Sequence, residues 1–157
     1  MDSRRGWLNL DVDVLRGLLG TASVDFVHAG AEVKPLALAM LREQIASGGN
    51  VIFPQLFFTP DEASDFEAAV VSSGGRVQRT MLREDPQECW RRVQERGRNA
   101  SGDSMERQIL DILDRSGGMR ELLRIEHRLS EWSALADPPR DITSSTSHKE
   151  LEELAGV

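Results

Sequence analysis

The sequence predicts an α/β fold: a three-layer sandwich with a mostly parallel sheet and helices on both faces. Three observations predict it. Helix-start chemistry recurs along the chain, paired glycines follow apolar-periodic segments, and short apolar runs lie between each stop and the next start. Strands separated by helices return to the sheet by crossover, which makes neighbouring strands parallel.

A chain of 157 residues is read as one domain spanning residues 1–157, long enough to bury about two-thirds of its unfolded surface. The net charge of −7 argues against a broad nucleic-acid-binding surface while leaving room for a local basic patch. A single cysteine, Cys89, excludes an internal disulfide and a thiolate zinc site, and suits a reducing compartment. No apolar run reaches the ~18 residues of a membrane span, and "MDSRRGWLNL" lacks the apolar core of a signal peptide. The expectation is a soluble cytoplasmic protein with no nucleic-acid or membrane partner.

Taken in order, "WLNL" reads as a strand ending at Leu10, followed by a helix that begins near Val12–Leu15. A second helix carries Leu38, Leu41 and Ile45 on one face and stops at Gly48 and Gly49. "NVIFPQLFF" gives a strand from Asn50 to Phe58. Thr59 with Glu62 forms a capping box, in which a short oxygen side chain and a carboxylate three residues later satisfy two orphan N–H groups. Pro60 at the first helical position loses no needed donor. That helix carries Ala63, Phe66 and Val70 and stops at Gly74 and Gly75.

"RVQRTMLR" gives the next strand, Arg76 to Arg83, and Asp85, Pro86 and Glu88 repeat the start signal. Asp103 with Glu106 opens a helix through Ile109 and Leu113 that stops at Gly117 and Gly118. Leu122, Ile125, Leu129 and Trp132 mark a further helix, "RDIT" a weak strand over Arg140–Thr143, and Ser147 with Glu150 a closing helix. In parallel sheets ligands bind beyond the carboxyl ends of the strands, so the segments following each strand are the candidate site.

The succession of segments resembles the small P-loop kinases: shikimate kinase, gluconate kinase, chloramphenicol phosphotransferase, the zeta-toxin group and their ATPase relatives. "LNLDVDVLRGLLG" looks like the second strand and helix of these enzymes, and "ASGGNVIFPQLFFTPDEASDFEAAVVSSGG" like their third strand with its neighbouring helices. "RVQRTMLREDPQECWRRVQERGRN" looks like the fourth strand and the helix leading to an arginine-bearing lid, about residues 96–118 here. "DITSSTSHKELEELAG" looks like the last strand, the loop that cups adenine and the closing helix. The glycine-rich loop G-x-x-x-x-G-K-[ST], whose N–H groups cradle phosphates, has no counterpart. "GLLGTAS" at Gly17–Ser23 has no lysine, and "GGRVQRT" at Gly74–Thr80 precedes a strand rather than following one. The resemblance thus implies a P-loop-NTPase-like sheet without its central first strand, through a late chain start or through natural loss.

The same resemblance implies an ATP-binding protein that transfers the γ-phosphate of ATP, with Mg²⁺, to a small hydroxylated acceptor, and that is inactive without the loop. Carried over by position, Asp13 would be the acceptor-side base and Asp11 the metal-side carboxylate. Arg92, Arg96 and Arg98 would close on the phosphates, since a planar fork of donors suits phosphate oxygens. Arg16 and Gln55 would meet the acceptor, and Thr143, Ser144 and Ser145 would line adenine. Gln55, preceded by Pro54, stands where many relatives carry an aspartate, and an amide brings no charge to a metal.

Read by themselves, the same residues have plainer roles. One of the two aspartates caps a helix, Arg16 is solvated, the arginines pair with Glu88 and Glu95 along an exposed face, and Ser147 caps a turn. His28, His127 and His148 show no metal-ligand spacing, and Cys89 beside Trp90 reads as a small core residue. The alternative to a kinase-like enzyme is a non-catalytic remnant acting as an interaction or dimerisation module, its sheet completed by a second copy or a strand-donating partner.

Overall fold

The computed structural model describes residues 6–20, 25–57, 60–102, 104–133 and 140–143. Its elements run β1 (Trp7–Asn9), α1 (Val12–Gly17), α2 (Phe26–Ala46), β2 (Asn50–Ile52), α3 (Pro60–Ser72), β3 (Thr80–Arg83), α4 (Pro86–Asn99), α5 (Met105–Ser116), α6 (Met119–Ser133) and β4 (Arg140–Thr143). The order of strands and helices follows the sequence reading over these residues. The fold class does not.

Among the described residues the strands form two separate parallel pairs, β1 with β2 and β3 with β4, and not one sheet. The molecule is predominantly helical, which corrects the three-layer α/β sandwich. The physical reason lies in the strands. Among its described residues, 50–57, the run predicted over Asn50–Phe58 is a strand only to Ile52, because Pro54 has no N–H for a ladder and biases its neighbour too. The run predicted over Arg76–Arg83 is a strand only from Thr80. Arg79 instead reaches α3, where Nε and Nη2 donate to the two carboxylate oxygens of Glu67 at 2.6 and 2.7 Å.

The first pair registers Trp7, Leu8 and Asn9 opposite Asn50, Val51 and Ile52. Alternation then gives the two faces different fates. Leu8 and Val51 pack on a core of Leu10, Leu41 and Ala69, while Trp7, Asn9, Asn50 and Ile52 stay exposed. A second cluster, Val12, Val33 and Ala37, merges with the first through Leu15, Phe53 and Phe66. The long helix α2 supplies much of this core through Ala29, Val33, Ala37 and Leu41, all nearly inaccessible. The spacing of four keeps them on one face, and small residues let α1 come close. The helix continues through Pro35.

Glycines end the helices as predicted. Gly48, Gly74, Gly117 and Gly118 all have positive φ, a conformation that costs glycine little. Asp85 caps α4 by accepting from the N–H groups of Gln87 and Glu88. At α5 the cap is Ser104, which accepts from Arg107 N–H, one residue later than the Asp103 of the predicted box. The predicted caps at Thr59 and Ser147, and the closing helix after Thr143, lie outside the described residues.

Gly97, near the end of α4, would by its missing side chain be expected to loosen the helix. It is instead buried where α4 crosses α5, with Leu110 so near that an added Cβ would lie 2.7 Å from its side chain.

Candidate functional site

The segment after β1 carries the two aspartates. Asp11 is the N-cap of α1, its Oδ1 accepting from the N–H of Asp13 at 2.9 Å and of Val14 at 3.4 Å. The chain leaves β1 extended, turns at Asp11 with φ −78° and ψ 112°, and the carboxylate closes the first turn. Asp13 sits in that first turn and meets Arg16 at 3.5 Å. The Arg16 side chain is only 12% exposed, so it is not the solvated arginine of the plainer reading. Its guanidinium lies across Gly30 of α2, where an added Cβ would come within 3.0 Å of Nη2. The three residues thus form one polar corner joining α1 to α2. Among the described residues, no group of three or more His, Cys, Asp or Glu side chains is placed to hold a metal ion.

Asp11→Ala is expected to lower stability by about 0.5–2 kcal/mol, whereas Asp11→Asn, which keeps an accepting oxygen, should stay close to wild type. Urea unfolding of the two variants checks this. Equal losses in both would show that the carboxylate charge, not the cap, is what the fold uses.

The predicted phosphate clamp lies on α4. Arg92 and Arg96 both line an open cleft of about 610 Å³ with Glu95, Asn99, Ser101, Ser104 and Glu106; Arg98 does not. Arg92 is already engaged: Nε donates to Glu88 at 2.7 Å and Nη2 to Glu84 at 3.2 Å. Arg91 donates to Glu88 and Glu95. Spacings of three and four explain the pairs with Glu88 and Glu95, while Glu84 reaches Arg92 from the segment before α4, so the surface-network reading holds for Arg91 and Arg92. Two carboxylates in the cleft, Glu95 and Glu106, oppose an anion.

The hydrogen bonds from Arg91 and then Arg92 hold the Glu88 carboxyl down to about 2, from a usual 4.5. A carboxylate whose folded value is depressed adds stability above its unfolded value and loses it as pH falls. The contribution is therefore complete above about pH 4.5 and disappears as pH drops through about 2. Glu88→Gln is expected to flatten the acid dependence of unfolding across that window, measured by circular dichroism melts. An unchanged acid profile would contradict the pairing.

Gln55 follows Pro54 in the segment after β2 and is exposed, with its amide donating to the Leu56 carbonyl at 3.2 Å. Thr143 ends β4 in register with Arg83, while Ser144 and Ser145 lie outside the described residues. The structure thus brings Asp13 together with Arg16, and Arg92 with Arg96.

What sequence reasoning missed is the pair of half-covered sheets. In β3, Met81 is buried while Leu82 on the opposite face is 78% exposed. Arg83, back on the covered side, donates to Ser130 Oγ of α6 at 3.0 Å. The signal was present as the alternation Trp7-Leu8-Asn9 and Met81-Leu82-Arg83, but alternation does not say which face goes uncovered. Comparison with family models, with curated proteins and with solved structures returns no match for the chain.

Proposed function

We propose that this chain is a protein-interaction module that takes up an extended segment of another polypeptide along its open strand edges. One observation carries the reading. Each parallel pair stops at two strands among the described residues, and the faces turned from the core carry Trp7, Ile52 and Leu82, each at least half exposed. Parallel strands ordinarily have both faces covered, and a lone two-stranded pair is marginal in water. An added strand supplies ladder hydrogen bonds through its backbone and covers the exposed apolar side chains with alternate residues of its own.

The net charge of −7 makes a second copy the poorer occupant, because like charges oppose association. A segment from a different protein, apolar at alternate positions and flanked by Lys or Arg, complements both the edge and the charge. Selection of displayed 12-residue random peptides on the full chain tests this. Enriched peptides are expected to alternate apolar residues between basic flanks, and to lose binding to the double variant Ile52→Lys, Leu82→Lys. Enrichment indifferent to that variant, or a stable dimer by light scattering without any peptide, would sink the reading.

The nucleotide reading drawn from the resemblance is supported by the shared cleft of Arg92 and Arg96. Against it stand the prior engagement of Arg92 and the two facing carboxylates. Calorimetry with ATP and Mg²⁺ is expected to give no binding heat. Saturable binding weakened by Arg96→Ala would favour the enzyme reading instead.

A further inference from the structure

We infer that the chain is built as two packing units, β1 to α3 and β3 to β4, hinged at residues 73–79 and able to separate along a thin seam. Every extensive packing contact between described elements falls inside one unit. The first unit joins α1 with α2, α2 with α3, α2 with β2, and β1 with β2. The second joins α4 with α5, α4 with α6, α5 with α6, and β3 with β4. The strand pair of the second unit is tied to its helices by Arg83, which donates to Ser130 Oγ and to the Leu129 carbonyl of α6, so each unit carries its own parallel pair and its own helix layer.

The hinge begins where α3 ends. Gly74, at φ +85°, breaks the helix, and the N–H groups of Gly74 and Gly75 close back on the carbonyls of Val71 and Val70. Beyond it the chain runs without regular structure to Thr80. The contacts that cross the seam include the Arg79–Glu67 pair, tied to the hinge itself, and the Phe57–Trp132 edge contact at 6.4 Å between ring centroids. Phe57 in turn touches Phe66 of α3 at 5.5 Å. Opening the seam breaks contacts of this kind while leaving the Leu10–Leu41–Ala69 core and the Gly97–Leu110 crossing intact. Units joined so sparsely open and unfold separately rather than as one. This inference stands on the packing pattern and does not depend on the proposed function.

Amide hydrogen exchange of the full chain, read by peptide mass spectrometry, tests it with one variant in each unit. Gly97→Val is expected to speed exchange in α4, α5 and α6 about tenfold or more, with less than about twofold change in α2 and α3. Leu10→Ala is expected to do the reverse. A variant that unfolds its own unit outright remains informative, because protection persisting in the other unit supports the inference. Equal acceleration in both units by either variant, or loss of protection throughout, would overturn it.

Discussion

Leu10→Ala is expected to destabilise the protein by about 2–5 kcal/mol, the range for removing a fully buried leucine. Leu10 is 1% exposed and lies in one cluster with Leu41 and Ala69. Its backbone is fixed as well, since its N–H donates to the Ile52 carbonyl at 2.8 Å. The surroundings therefore cannot easily collapse into the space, which puts the cost in the upper part of the range. Urea unfolding followed through the helices of the first unit measures it. Loss of less than about 1 kcal/mol would mean that the site relaxes and that this core is loosely packed.

The second large effect is expected at Gly97. A Cβ there would stand 2.7 Å from both Cβ and Cδ2 of Leu110 and 3.1 Å from the Glu106 carbonyl oxygen. Leu110 is itself buried, and its Cβ cannot swing away, so α4 and α5 must move apart. Gly97→Val is expected to cost about 1–3 kcal/mol, although valine is a better helix former than glycine. Gly17→Ala, at a helical glycine with no atom within 4 Å of an added Cβ, serves as the control. It should be neutral or slightly stabilising. If the two substitutions behave alike, the close crossing of α4 and α5 is not what limits Gly97.

How much could be read from the sequence depends on the range of the interaction concerned. The Asp85 cap, the Gly117 stop and the short strand over Arg140–Thr143 are set by neighbouring residues, and they appear as read. The parallel sense of each strand pair follows from the intervening helices and holds too. Whether four short strands join into one sheet is set by long-range register, which no local pattern records. The limit that Pro54 sets on the second strand is local, whereas the pull of Glu67 on Arg79 crosses from α3.

At the candidate site, capping by a residue of the Asp-Val-Asp stretch was one of two readings, and Asp11 takes that role. The burial of Arg16 depends on Gly30, fourteen residues on, whose missing side chain makes the space. A glycine inside a helical stretch is the signal that could have located that close approach.

On the proposed reading, the open strand pairs accept a partner strand. The most direct measurement of this is amide exchange at residues 50–52 and 80–83, with and without a peptide selected on the full chain. Slowed exchange is expected in one of these strands, with no change at the cleft of α4 and α5. Protection confined to that cleft, or to neither strand, would contradict it.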